Sequence, residues 1–238
     1  MALDAALMSR ARRTGDTVIR VYGWSRPTLS FGRNQRTAGS YHASTIANAG
    51  VGVVRRPTGG RSLLHDHEIT YSVTAPVDAP LGATYARINT LLVNALARLG
   101  VPANAAPRST PAIPPSPTPC FAEPAGGELE VDGRKLVGSA QWRDDGALLQ
   151  HGSILVEDDQ WRIGTLADTP MPPVPAPATL RALLARAPGL EEMGACLLAA
   201  AQALADPGTR RFEVERLVLD EADALSERYR SDDWTWRR

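Results

Sequence analysis

The sequence predicts an α+β fold: a mixed, largely antiparallel sheet with flanking helices. Three observations carry this. Strand-like segments crowd the first two thirds of the chain and helix-like segments gather near its end, without the strand–helix alternation of βαβ units. Asp132-Gly133, a favoured two-residue hairpin turn, separates two runs of strand character. One long segment, 85–99, carries an apolar stripe at helical spacing.

Residues 1–13 read as a short helix, with Leu3, Leu7 and Met8 at helical spacing and Thr14-Gly15 as its stop. Segment 17–22 is rich in β-branched and aromatic residues and reads as a strand. Strands follow at 51–56, with Val51, Val53 and Val54, and at 67–74, where Ile69, Tyr71 and Val73 alternate. Between them Pro57-Thr58-Gly59-Gly60-Arg61 forms a turn whose backbone N–H groups can face a ligand. In helix 85–99, Ile88, Leu92, Ala95, Leu96 and Leu99 make one packing face, Gly100 stops it and Pro102 seals the end. Residues 102–119 hold seven prolines and read as a loop, the kind of long insertion that is often functional. Then 128–131, 134–142 and 147–157 form a strand meander through the Asp132-Gly133 and Asp145-Gly146 turns. A second proline-rich loop, 170–177, leads to helices around 179–187 and 191–205. Segment 212–219 reads as a late strand and 220–229 as a final helix capped by Asp220.

A chain of 238 residues suits one large domain or two small ones and buries a core without staples. Two cysteines, Cys120 and Cys196, give no disulfide framework and point to a reducing compartment. No Cys/His cluster stands at ligand spacing, so no metal site is expected. No apolar run is long enough to span a bilayer, and the early acid in Met1-Ala2-Leu3-Asp4 argues against a signal peptide; the expected location is the cytoplasm, without membrane contact. A net charge of zero argues against a nucleic-acid partner. The charge is uneven, since residues 1–61 carry ten Arg against Asp4 and Asp16. Such a basic third either steers an acidic protein partner or is simply a solvated surface.

Of the 26 basic residues, one is Lys, Lys135, and the rest are Arg. Arg does not replace Lys where a compact, rotatable donor is needed. Cys120 lies fifteen residues upstream, and an ammonium beside a thiol favours the nucleophilic thiolate. It would also stabilise the charge that develops on a thioester carbonyl. A free Cys is more often a small buried apolar residue, and Cys196, inside an apolar helix, fits that role. Gly138-Ser139-Ala140 offers open backbone to a substrate carbonyl, and strand alternation places Lys135, Val137, Ser139 and Gln141 on one face. His65, His67 and His151 are candidate proton carriers, although a structural, hydrogen-bonded role is the commoner one for each. There is no P-loop, dinucleotide fingerprint or Gly-x-Ser-x-Gly elbow.

Four segments read together: 22–35, from Tyr22-Gly23-Trp24 to Phe31-Gly32-Arg33-Asn34-Gln35; Arg55-Arg56-Pro57-Thr58-Gly59-Gly60-Arg61 through His65; 132–141; and Gln150-His151-Gly152-Ser153-Ile154-Leu155. In this order they resemble the biotin/lipoate-protein ligase catalytic domain family, across nearly the whole chain. The resemblance implies a single catalytic domain over 1–238, with 102–119 and 170–177 as its proline-rich loops. Of that family's two chemistries, ATP-dependent lipoate ligation and octanoyl transfer, the chain is more similar to the ligase-like octanoyltransferases. Pro119-Cys120-Phe121 with Lys135 downstream looks like their nucleophile region, and Gly59-Gly60 is followed by Arg61 where the ligases usually have a third Gly. The small, polar stretch 122–127 and the prolines before Cys120 depart from the family pattern.

What the resemblance implies is a transfer of octanoyl from acyl carrier protein, through a Cys thioester, to a lysine of a lipoyl-domain protein such as glycine cleavage H protein. Cys120 and Lys135 would be the catalytic pair. Arg56, Thr58, Gly59, Gly60, Arg61, His65, Gly138, Ser139, Ala140, Gln141, His151 and Gly152 would bind substrate. No cofactor is expected; ATP and Mg enter only if the chain is instead a lipoate-protein ligase. A lipoyl amidotransferase or a non-catalytic acyl-binding module would keep the same pocket.

Overall fold

The computed structural model describes residues 1–107, 120–121, 126–168, 170–171, 175–204 and 206–237. In chain order the elements are α1 (Ala2–Thr14), β1 (Val18–Tyr22), β2 (Thr28–Phe31), α2 (Ala43–Asn48), β3 (Gly52–Arg55), β4 (Leu63–His65) and β5 (Glu68–Pro76). Next come α3 (Leu81–Arg98), β6 (Asn104–Ala105), β7 (Leu129–Val131), β8 (Arg134–Asp144) and β9 (Ala147–Leu155). A 3₁₀ turn at Gln160–Arg162 leads into α4 (Ile163–Leu166), then α5 (Leu180–Leu184), α6 (Leu190–Leu204), α7 (Arg216–Arg230) and α8 (Asp232–Thr235). Most of the loop expected at 102–119, and part of that at 170–177, lies outside the described residues.

Among the described residues the strands form two sheets, one of six strands in the order β1-β5-β9-β8-β7-β6 and one of three in the order β3-β2-β4. All pairings are antiparallel except β2 with β3, so the expected mixed, largely antiparallel arrangement holds. One face of the large sheet is apolar. Ile69, Tyr71, Val73, Val137, Leu148 and Ile154 meet Ile88, Leu92 and Leu96 of α3 and Met193, Leu197 and Ala200 of α6. On the other face α1 seats Met8 against Ala147 and Leu149, and carries α7 on its back through Ala6, Leu7, Val218 and Ala222. The small sheet has its own core of Leu29, Phe31, Ile46, Leu64, Ile163 and Leu166.

The expected strand at 212–219 is a correction. No strand forms there, and α7 starts at Arg216. The β-branched and aromatic residues of this run suggest a strand, but Val218, Ala222, Leu225 and Tyr229 recur at helical spacing toward the interior while Leu217 and Leu219 face solvent. Tertiary packing on α1 decides the period. Strand β2, helix α2 and strand β4 were not expected, since each is too short for its pattern to stand out.

The N-terminal arginines are not one solvated patch. Arg55 is fully buried and donates to Thr235 O (2.8 Å), Gly32 O (2.7 Å) and Gln35 O (2.8 Å), so it ties β3 to α8. Arg20 pairs with the buried Asp4 at 2.5 Å, and Arg10 with Glu215 and Asp16 at 3.1 and 3.0 Å. Much of the local excess of positive charge is therefore structural.

Candidate active site

A cavity of about 260 Å³ opens where the two sheets meet. The small sheet and its following turn contribute Arg56, Gly60, Arg61, Leu63 and His65. The large sheet contributes Tyr22, Thr70, Lys135, Gly138, Ser139, Ala140, His151, Gly152 and Ser153, and Cys120 closes one side.

Cys120 is half-buried and packs with Leu63, Phe121 and Leu155, its backbone N–H bonded to Ser62 O at 3.0 Å. The Lys135 ammonium spends its three donors on three acceptors. One N–H goes to Cys120 O at 2.6 Å, one to the Glu128 carboxylate at 2.6 Å, and the third faces Cys120 Sγ at 3.7 Å. The Phe121 ring lies 5.1 Å from Nζ. The Lys135 side chain is 2 % exposed and that of Glu128 8 %, so the ion pair is shielded from water and from salt. A buried ammonium held on two oxygens, with its third hydrogen at a sulfur, can stabilise negative charge on that sulfur or on an atom bound to it.

Strand β8 does not keep simple alternation. Leu129 pairs with Val137 but the next residue, Glu130, pairs with Lys135, so Leu136 is an extra residue on β8. This β-bulge changes which side chains share a face. Leu136 and Val137 both sit in the core, while Lys135 projects into the cavity on the side of Gly138. A Cβ on Gly138 would stand 3.2 Å from Lys135 Cε and 3.2 Å from the Phe121 ring, so glycine leaves that space to the lysine. The expectation that Lys135, Val137, Ser139 and Gln141 share a face is thus corrected. Gln141 points to the helix side, where it bonds Gln150 (2.7 Å), which in turn bonds Tyr71 OH (2.9 Å) and Asn89 (3.2 Å). Beyond Val137, strand β7 no longer runs beside β8, so among the described residues alternate backbone groups around Gly138–Ala140 have no strand neighbour on that edge.

The Gly59-Gly60 turn folds tightly onto β2. A Cβ at Gly32 would collide with the Gly60 carbonyl, and Gly60 itself holds φ +98, a region that suits glycine. Arg56 pins this turn from inside. It donates to Ser30 Oγ (2.6 Å), Ser30 O (3.0 Å), Gly59 O (3.2 Å) and Arg61 O (2.8 Å). Burial pushes its guanidinium below the usual range. His65 is clamped between Ser30 Oγ (2.7 Å) and Glu68 (2.7 Å) and stacks on Trp24 at 4.1 Å between centroids. His151 bonds Thr58 Oγ1 at 2.6 Å and lies 3.9 Å from Asp4; burial pushes its imidazole below 6.5, outweighing the pull of that carboxylate. Both histidines are locked in place, which suits wall residues more than mobile proton carriers.

Of the residues selected from sequence, Cys120, Lys135, Arg56, Gly60, Arg61, His65, Gly138, Ser139, Ala140, His151 and Gly152 line this one cavity. Thr58 stands behind it on His151, and Gly59 and Gln141 do not line it. Sequence reasoning missed Met1, Tyr22, Trp24, Leu63, Thr70, Ser153 and, above all, Glu128. His67 lies elsewhere. With Asp66 and Asp159 it brings three donor atoms within 4.8 Å of one another, and Asp66 is already paired with Arg162 at 2.6 Å. Cys196 packs half-buried against the core from α6, and burial pushes its thiol up.

Residues 1–202 match the family model of the lipoyl protein ligase A/B catalytic domain. The chain is 34% identical over 258 residues to octanoyltransferase LipM of Kyrpidia tusciae, spanning 100% of this chain and 94% of the relative. It is 41% identical over 170 residues to octanoyltransferase LipM of Staphylococcus aureus, spanning 67% of this chain and 62% of the relative. Among solved structures, lipoate-protein ligase A bound with ATP superposes with TM-score 0.80 at 20% identity, over 99% of this chain and 92% of the other. The bipartite lipoate protein ligase of Thermoplasma acidophilum superposes with TM-score 0.77 at 19% identity, over 99% and 89%. These structures share the fold.

Proposed function

The chain belongs to the lipoyl protein ligase A/B catalytic domain family, and from that premise we propose that it is an octanoyltransferase of lipoate biosynthesis that works through an acyl-thioester on Cys120. The observation that carries this reading is the placement of the chain's only lysine, buried, with Nζ 3.7 Å from Cys120 Sγ at the wall of the cavity. The activity for which the relatives are named, octanoyl transfer, supports it.

The donor is octanoyl-acyl carrier protein. The Cys120 thiolate attacks the thioester carbonyl; the new C–S bond forms, the carrier's C–S bond breaks, and the carrier thiolate leaves and takes up a proton. Lys135 turns its third N–H toward the developing oxyanion, with backbone N–H groups around Gly138–Ala140 as further donors. The acyl chain lies in the cavity beside the Gly59-Gly60 turn. Burial of seven methylene-scale groups contributes on the order of 5 kcal/mol at ~0.8 per CH₂. A lysine amine of a lipoyl domain then attacks the acyl-enzyme, an amide forms, the amine loses a proton, and the Cys120 thiolate returns. A thioester is already activated, so no nucleotide is needed.

Incubation with octanoyl-acyl carrier protein, without ATP, should add one octanoyl group to the intact protein, and Cys120→Ala should abolish it. A lipoyl domain added afterwards should collect the group. Lipoate-dependent pyrophosphate release that survives Cys120→Ala would replace this reading with an ATP-dependent ligase. Transfer only between lipoyl domains would mean an amidotransferase. Neither labelling nor turnover would leave an acyl-binding module.

A further inference from the structure

An amine placed to assist an acyl-thioester is also an amine able to take its acyl group. If Lys135 lost its proton while Cys120 carried octanoyl, the Nζ lone pair would attack the thioester carbonyl. A C–N bond would form, the C–S bond would break, the Cys120 thiolate would leave, and the nitrogen would lose a proton. The product, an amide on Lys135, is a dead end, because a thiolate does not readily cleave an amide. An ammonium has no lone pair and does not react.

What holds that proton differs between the two states. In the free enzyme Lys135 faces the Glu128 carboxylate at 2.6 Å and, at 3.7 Å, Cys120 Sγ, the thiolate of the proposed reaction. Acylation removes the charge on sulfur. Among the described residues Glu128 is then the only carboxylate at ion-pair distance from Lys135. The other neighbours, the Cys120 carbonyl at 2.6 Å and the Phe121 ring at 5.1 Å, offer partial charge only. A buried cation without a counter-charge gives up its proton readily.

We propose that Glu128 guards the acyl-enzyme: by holding Lys135 as an ammonium, it blocks the shift of the acyl group from the Cys120 sulfur to the Lys135 nitrogen. Glu128 is in this sense a positioning residue that acts through Lys135. The inference rests on the thioester reading above, and its tests separate the two.

Wild-type, Glu128→Gln and Glu128→Ala proteins are loaded with octanoyl-acyl carrier protein and treated with hydroxylamine, which cleaves thioesters and spares amides. Because Lys135 is the only lysine, peptide mapping reads one side-chain amine. In the wild type the octanoyl group should sit on Cys120 and be labile. In the Gln and Ala variants the stable adduct on Lys135 should rise at least about tenfold, because the buried ammonium has lost its one carboxylate partner among the described residues. A stable fraction no higher than wild type in both variants overturns the inference. A second arm needs no transferase activity. p-Nitrophenyl octanoate, which acylates neutral amines, should modify Lys135 in Cys120→Ala, Glu128→Gln and spare it in Cys120→Ala; equal modification overturns the guard role. If wild type takes no label on Cys120, the thioester reading fails while this arm still judges Glu128. Should the variants not fold, [15N]lysine labelling of wild type gives one side-chain signal. It should stay an ammonium after Cys120 is acylated, and conversion to an amine signal overturns the inference.

Discussion

Lys135 and Cys120 are legible in the sequence because rarity and spacing mark them. Glu128 is not. The hairpin places Glu130 directly opposite Lys135, with Leu136 as an extra residue on β8, yet the Lys135 ammonium meets Glu128. Nothing in the alternation of 128–137 announces that extra residue. His151 is legible as a candidate, but its environment is not, because the partners come from distant segments, Thr58 and Asp4. That environment gives a testable pH dependence. The unfolded imidazole takes a proton near its usual 6.5, and the buried one resists it. The unfolded state therefore binds more protons below that point, so the His151 contribution to stability is full above about 6.5 and is lost as pH falls below it. The urea midpoint should drop between about pH 7.5 and 5.5, and His151→Gln, which keeps a donor for Thr58, should flatten that part of the profile. Identical slopes for the two proteins would assign the effect elsewhere.

Among the elements, the long helix 85–99 and the hairpin through Asp132-Gly133 are readable, since each has a strong local period. The run before and into α7 misleads because its buried face is set by α1, a partner more than two hundred residues upstream. The close approach of β8, β9 and β5 is equally invisible. Tyr71 pairs with Gly152, and Gly152 with Ser139, so the Tyr71 ring lies over the glycine. A Cβ there would run into the Gly138 carbonyl oxygen and stand 2.7 Å from the Tyr71 ring and 3.0 Å from Ser139 Oγ. Two of these obstacles are backbone or a buried ring held by Ser139 (2.6 Å) and Gln150 (2.9 Å), so neither can yield cheaply. Burial also pushes the Tyr71 phenol up to about 12, so it stays neutral in these bonds. Gly152→Ala should destabilise the protein by about 3 kcal/mol and lower transfer by displacing the Gly138 edge. Gly164→Ala, in α4 with nothing within 4 Å of its Cβ, is the near-neutral control. Equal denaturation midpoints for the two variants would mean that the strands can part without cost.

At the scale of the whole molecule, the two sheets have separate cores and meet at the cavity. The fold class is legible because composition and turn chemistry restrict it. The seam between sheets is not, since it depends on short strands such as β4 that supply Leu63 and His65 to the wall. A ligand in the seam touches both sheets, so its binding should stabilise the entire protein rather than one part. The cavity of about 260 Å³ also limits how much chain it accepts. Cys120→Ala protein, which lacks the thiol proposed to carry the acyl group, should therefore gain thermal stability from N-acetylcysteamine thioesters in steps. At saturating ligand each added methylene within the cavity contributes ~0.8 kcal/mol, which for a chain of this size raises the midpoint by roughly 2 °C. The series from butanoyl to dodecanoyl should climb to octanoyl and then level off, because further methylenes find no apolar wall. An unbroken climb to dodecanoyl would show that depth does not select the acyl group. No climb at all would show that the acyl chain lies somewhere other than the seam.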